Sequence, residues 1–307
     1  MTSMWTGLNL SHVMLVARFA SRFALRTGGG LIFLLILLVS GLGVAAAFIA
    51  PVEEMVKSEL LQDVALDQGE TLDVGVVIRE VSEMPGVRRG VQAIVGGDER
   101  ESTYLLAKNP ALLSAIFVVM LILIPFLACF GGFNQTSGDI QNRGLRYLLL
   151  RTERVNIFLG RLLGVVLFTL IYVAALVALV LVYIGLKLQI YGAGELCWWG
   201  LQGYVALVLL VLPYMALCAW LSAAIDSPFG SLVLCLMLVG LPIAFLAALS
   251  AVARLPYETL SRFLPWGWKY ELLSGDVGTR LVAITAMLGF TGLFVLVGLR
   301  TFSRRDL

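Results

Sequence analysis

Six stretches of this chain are long and apolar enough to cross a lipid bilayer, and that fixes the solvent in which most of it folds. A span takes about 20 mainly apolar residues. The runs that qualify are 31–50, 111–130, 157–186, 205–225, 231–251 and 281–299. In hydrocarbon every backbone N–H and C=O must be paired within the protein, so these runs are expected as helices. The composition agrees: 60% of residues are hydrophobic and 14% charged, where a soluble domain carries about 25% charged residues. The mean hydropathy is +0.94. The run 157–186 is long enough to tilt or to project from the bilayer. Asn109-Pro110 reads as the start of the second span, with Asn as cap and Pro in the first helical position. Pro213 and Pro242 lie inside spans four and five, where they predict kinks.

The charges then orient the chain. Residues 1–30 carry Arg18, Arg22 and Arg26 and no acid. Residues 131–156, with the start of span three, carry Arg143, Arg146, Arg151, Arg154 and Arg161 against Asp139 and Glu153. The tail 300–307 has Arg300, Arg304 and Arg305 with Asp306. With six spans these three regions share one side, and the positive-inside rule makes that side the cytoplasm. Both termini are then cytoplasmic. The outer pieces are 51–110, 187–204 and 252–280. The first is acidic, with twelve acidic and six basic side chains. Met55, Leu60, Leu61 and Val64 fit a helix continuing outward. Residues 71–81 alternate as a strand does, and 90–97 read as a second. A small α/β insertion of this size has little core, so it is expected to lean on the membrane part or on a partner chain. The third outer piece gathers Trp266, Trp268 and Tyr270. Two readings fit them: an aromatic belt at the outer interface, or a short helix that re-enters the leaflet and forms an outer gate. Trp198 and Trp199 belong to the same belt on the first reading.

Several function classes are excluded. There is no G-x-x-x-x-G-K-[ST] for a nucleotide phosphate and no H-E-x-x-H. The single histidine, His12, lies outside the spans, so an intramembrane serine–histidine site is ruled out. Acids near the bilayer midplane, the mark of ion-coupled carriers and pumps, are missing. Cys129, Cys197, Cys218 and Cys235 show neither a disulfide framework nor metal-ligand spacing. No catalytic, cofactor or metal site is expected in this chain, and no nucleic acid as partner. The first apolar run follows three arginines and Gly28-Gly29-Gly30, and so reads as a span and not as a cleavable signal.

Two amphipathic segments remain. In residues 11–26 the arginines at 18, 22 and 26 recur every fourth residue, with Val16, Phe19, Ala20 and Phe23 on another face. This is the pattern of a helix lying in the headgroup layer; a plain basic flank is the other reading. The second segment is "GDIQNRGLRYLLLRTERVNIFLGR", residues 138–161. A short helix over 139–150 would put Ile140, Gly144, Tyr147, Leu148 and Arg151 on one face, flanked by Arg143 and Arg146. Thr152 then reads as the N-cap of the next helix, with Glu153 in its first turn. Such a stripe either rests on lipid headgroups or docks into a groove on a soluble partner.

The segment resembles the ABC-2 family of transporter permeases. Asp139, Gly144, the leucine run, Arg154 and Gly160 match that family's pattern, and the ending "TFSRRDL" is similar to its close. Leu145 stands where Thr is usual, Glu153 where Pro is usual, and Arg161 in place of Lys. Residues 51–110 resemble the subgroup with an extracytoplasmic insertion between spans one and two. The resemblance implies an all-α integral membrane fold: an N-terminal elbow helix carrying Arg18, Arg22 and Arg26, six spans, a coupling helix over 139–151, and re-entrant outer helices around Trp266, Trp268 and Tyr270. It implies a separate ATPase subunit that holds ATP and Mg and contacts Asp139, Ile140, Arg143, Gly144, Tyr147, Leu148 and Arg151. It also implies a second permease chain, alike or different, and a bacterial inner membrane. ATPase closure would push on the coupling helix and rock spans one, two and five, most simply for export. The alternative is a non-transporting machine that acts through 51–110 on a periplasmic or envelope partner. Nearly charge-free spans fit a lipid-like substrate or none.

Overall fold

The computed structural model describes residues 8–26, 28–66, 104–105, 109–187, 191–253 and 256–305, without the side chains of 23–30, 51–66 and 258. Among the described residues every long element is an α-helix, as hydrocarbon requires of a spanning backbone. The order is α1 (Leu10–Arg26), α2 (Gly28–Leu66), α3 (Ala111–Gly132), α4 (Ser137–Gln141), α5 (Leu145–Leu149), α6 (Arg154–Lys187), α7 (Ala193–Ala224), α8 (Pro228–Ala253), α9 (Tyr257–Ser261) and α10 (Val277–Arg304). Two short 3₁₀ turns, Pro265–Trp268 and Glu271–Leu273, lie between α9 and α10. The six apolar runs fall on α2, α3, α6, α7, α8 and α10. The helix of the first span continues to Leu66. The expected strands of the α/β insertion, at 71–81 and 90–97, lie outside the described residues.

The centre of the bundle is α7. Of its most apolar stretch 72% is buried, against 11% for α8, which sits at the edge. α3, α6 and α10 pack around α7, and α2 rests on α3 and α6. Two helix starts differ from the sequence expectation. α7 begins at Ala193, well before residue 205. The intervening "GELCWWGLQGY" looks too polar for a span, but Gly200 and Gly203 are close-packing positions: a Cβ on Gly203 would overlap the ring of Phe117. Trp199 accordingly points into the bundle, where its Nε1 donates to Ser114 Oγ at 3.0 Å and its ring meets the edge of Tyr104. Trp198 stays exposed. At the start of α3, Pro110 holds the cap position, its carbonyl accepting from Ser114 N at 2.9 Å. Asn109 instead ties back to the carbonyl of Tyr104 at 2.9 Å. Both α7 and α8 run through their internal prolines, Pro213 and Pro242.

α1 does not lie free. Gly160 and Gly164, one turn apart on α6, open a groove that admits Val13, Val16, Ala17 and Ala20 of α1. Paired small residues of this kind let helix backbones approach closely. Leu10, Met14, Leu15 and Phe19 remain exposed on the outward side, as do Arg18 and Arg22. Arg26 ends the helix, and its side chain lies outside the described residues.

Candidate functional site

The ends of α3, α6, α7 and α10 on the side where α1 packs against α6 form what we call the basic end of the bundle. Several of its polar side chains are buried and hydrogen-bonded. α4 starts at Ser137, so its first amides have no partner within the helix. The hydroxyl of Ser222, from α7, accepts from Thr136 N at 2.9 Å and Ser137 N at 3.0 Å. Asn134 Oδ1 accepts from Gly138 N at 2.9 Å. Gln135 Nε2 donates to the carbonyl of Met215 at 3.2 Å. A cap supplied by another span roots α4 on the central helix.

Asp139 points from α4 to Arg161 of α6, forming an ion pair across 22 residues of sequence. Arg161 is buried, and its guanidinium lies 6.0 Å from the centre of the Phe19 ring of α1. The first acid and the last arginine of the motif segment therefore close on each other beneath α1. Arg154, also in that segment, donates to the carbonyls of Ser303 and Arg305 at 2.9 and 2.6 Å, capping the end of α10. Arg305 in turn donates to the carbonyl of Ala223 and pairs with Asp226 in the α7–α8 turn. Thr152 makes no cap bond to the α6 amides among the described residues. Its hydroxyl meets His12 Nδ1 at 3.0 Å and accepts from Asn156 Nδ2 at 3.2 Å, while Asn156 Oδ1 accepts from Asn9 N at 3.0 Å. The α4–α6 region thus holds the start of α1 in place.

The single helix expected over 139–151 is broken. α4 stops at Gln141, Arg143 takes a φ of 56°, and α5 restarts at Leu145. The break redistributes the predicted face. Leu145 is 1% exposed, and Ile140 and Leu148 lean on the core. Tyr147 and Leu150 point away, 76% and 84% exposed. Arg143, Arg146 and Arg151 are also exposed. Gly144 is not a close-approach position, since a Cβ there meets only the Asp139 carbonyl at 3.8 Å. Between α4, α5, the α7–α8 turn and the chain's end lies a cleft of about 390 Å³, lined by Ile140, Arg143, Leu145, Arg146, Asp226 and Arg305.

At the far end, Trp266, Trp268 and Tyr270 do come together. Trp266 is buried against Phe126 of α3, with ring centres 6.2 Å apart. Lys269 Nζ sits 4.2 Å from the ring centres of both Trp266 and Tyr270. Trp268 Nε1 donates to the carbonyl of Arg262 at 2.9 Å.

The sequence reading passed over Ser222, Gln135 and the pairings of Asp139 and Asp226. Its available signal was a cluster of polar residues, Gln135-Thr136-Ser137, directly after one apolar run and a serine near the end of another. The cysteines are expected as packing residues; Cys129, Cys218 and Cys235 are buried and Cys197 is exposed. No group of three potential metal ligands forms among the described residues.

Comparison with curated proteins gives no match. Residues 19–307, however, match the family described as ABC-2 family transporter protein. That match takes in all six apolar helices and the basic-end segment, and so the chain belongs to the ABC-2 transporter family as a multi-pass membrane permease subunit.

Proposed function

We propose that this chain is the permease subunit of an exporter driven by a separate ATPase, which docks on residues 139–151 and holds the ATP and Mg. The observation that carries this reading is a contrast within the segment. Its root is fixed by the Ser222 cap and the Asp139–Arg161 pair, while Tyr147 and Leu150 at its tip stand exposed. A rigid root under an exposed apolar tip is what transmitting a push from a partner requires. Arg18, Arg22, Arg143, Arg146 and Arg151 around this end support a cytoplasmic orientation and, with it, cytoplasmic termini in a bacterial inner membrane. α1 serves as the elbow helix. The exposed apolar faces of α8 and α10 leave room for a second permease chain, alike or different. The turn carrying Trp266, Trp268 and Tyr270 would close the outer end of the pathway. Spans almost free of charge fit a lipid-like substrate.

A second reading has one observation in its favour. The helix of span one runs on without a break to Leu66, giving a stiff rod into 51–110. A machine that works an envelope partner through that segment would use such a rod and need no continuous pathway.

The test is mass spectrometry of whatever co-purifies with the tagged chain in mild detergent. A stoichiometric P-loop ATPase is expected. The double variant Tyr147→Asp, Leu150→Asp is expected to insert normally and to lose that ATPase. Full retention of the ATPase by the variant would sink the docking assignment. ATP-dependent movement of a lipid analogue in vesicles separates export from the second reading.

A further inference from the structure

The turn that breaks the docking segment puts its strain on an unexpected residue. At φ 56°, Arg143 is the one non-glycine residue with positive φ among the described residues. This left-handed region is disfavoured for side chains with a Cβ and suits glycine, with asparagine next. Both of those residue types flank it. Yet Asn142 has φ −86° and Gly144 φ −64°. What fixes the register is packing on either side: Leu145 is buried to 1% exposure, and Ile140 leans on the core and accepts from Arg143 N at 3.1 Å. Strain of this kind persists where the surroundings over-determine it, and it gathers at functional positions.

The consequence is where Arg143 ends up. It lines the cleft of about 390 Å³ together with Arg146 and Arg305, over apolar Ile140 and Leu145. The cleft's own carboxylate, Asp226, is already paired with Arg305. Arg143 and Arg146 have no ion pair or side-chain hydrogen bond among the described residues. Among the described residues the cleft therefore offers two uncommitted guanidiniums above an apolar floor. A guanidinium presents a planar fork of donors that fits a carboxylate with two parallel bonds.

We propose that this cleft receives a carboxylate-bearing segment of the ATPase subunit, and that the strained backbone at Arg143 is kept because it presents the guanidinium to that carboxylate. The proposal rests on the docking reading above and adds to it the chemistry of the contact. A protein partner is favoured over an anionic lipid by the neighbourhood. Tyr147, next to Arg146, is widely exposed, and tyrosine with arginine is the pairing that concentrates at protein interface hot spots. The lipid pattern, arginines interspersed with exposed Leu15 and Phe19, belongs to α1.

The experiment titrates the ATPase recovered with the wild-type chain onto the full chain in nanodiscs of phosphatidylcholine alone. Arg143→Gly relieves the strained backbone and removes the guanidinium. It is expected to leave Tm unchanged or raised, to weaken ATPase binding by about tenfold, and to flatten the salt dependence of binding. Arg143→Lys, which keeps the charge and loses the fork, is expected in between. If Arg143→Gly binds like wild type while Tyr147→Asp, Leu150→Asp does not, the docking reading stands and the cleft proposal falls. If both bind like wild type, or no ATPase is recovered at all, the docking reading falls and takes the proposal with it. A drop in Tm that parallels the loss of binding would make Arg143 merely structural and overturn the proposal. So would a binding defect that appears only when phosphatidylglycerol is added, since the cleft would then be a lipid site.

Discussion

The two ends of the bundle face the same problem and solve it differently. Helix termini leave backbone groups without partners, and near a membrane water is a poor source of them. At the basic end those groups are met by side chains from distant parts of the chain. Ser222 serves Ser137 across 85 residues, Arg154 serves Ser303 across 149, and Arg305 serves Ala223 across 82. At the far end the segment before α10 satisfies itself. Asp276 accepts from Thr279 N at 2.8 Å, Arg262 pairs with Glu271 at 2.8 Å, and Arg280 donates to the carbonyl of Ser274. Gly267 packs directly against the backbone of Ser261. The basic end is therefore stitched between spans, so that a load on α4 is shared by α3, α6, α7 and α10. The far-end turn is stitched to itself and rests on the bundle through the Trp266–Phe126 contact.

The contrast can be broken by substitution. The largest effect is expected from Ser222→Ala, which strips the acceptor from two buried amides, Thr136 N and Ser137 N. Each orphaned buried group costs about 1–3 kcal/mol, and the drop in Tm in detergent should exceed that of any single change at the far end. Arg305→Met comes next. It leaves the Ala223 carbonyl without its donor and frees Asp226, a loss of about 1 kcal/mol. Arg262→Met, which removes a local pair with an exposed arginine, is worth between about 0 and 1 kcal/mol. Should Arg262→Met cost more than Ser222→Ala, the distinction between the two ends would not survive.

What was legible in the sequence follows the same division between local and distant. The six spans could be read because hydropathy is a local property, and the basic end because arginine is conspicuous between apolar runs. The early start of α7 could not, because Gly200 and Gly203 depress hydropathy in a window while, in three dimensions, they mark where Leu181 and Phe117 press closest. The segment over 139–151 was drawn as one helix and is in fact broken at Arg143. A periodicity test assumes an unbroken geometry, and the anchoring of Leu145 in the core overrides it. Asp139, Arg154, Arg161 and Arg305 were visible as charges, but their partners were not, since pairing across tens of residues is set by helix packing. Ser222 gave almost no signal, being one small polar residue in an apolar run. The outer aromatic cluster was found as a cluster, but sequence could not say that Trp266 turns inward or that a lysine lies between the rings.

That lysine sharpens the comparison with an effect of the opposite sign. Lys269 is 5% exposed, and its Nζ donates to the carbonyl of Trp266 at 3.3 Å. No carboxylate pairs with it among the described residues. Burial pushes its pKa down to about 8, against about 10.4 for an unfolded lysine. Tyr270 beside it is pushed up, first by burial and then by Tyr257, and so stays neutral over that interval. Between about pH 8 and 10.4 the unfolded chain holds a proton that the folded chain has shed, so stability rises with pH there. Below about pH 8 both states are charged, and the fold carries the full cost of burying the charge, which the two ring contacts reduce. Lys269→Met keeps an unbranched apolar stem and discards the charge. It is expected to stabilise the far-end turn by about 1 kcal/mol at neutral pH and to flatten the dependence of Tm on pH, read by tryptophan fluorescence. A wild-type Tm that falls over the same window would mean that the rings outweigh burial. The far end would then be held by a charge, as the basic end is, and the two ends would differ only in whether the charge meets a carboxylate or an aromatic face.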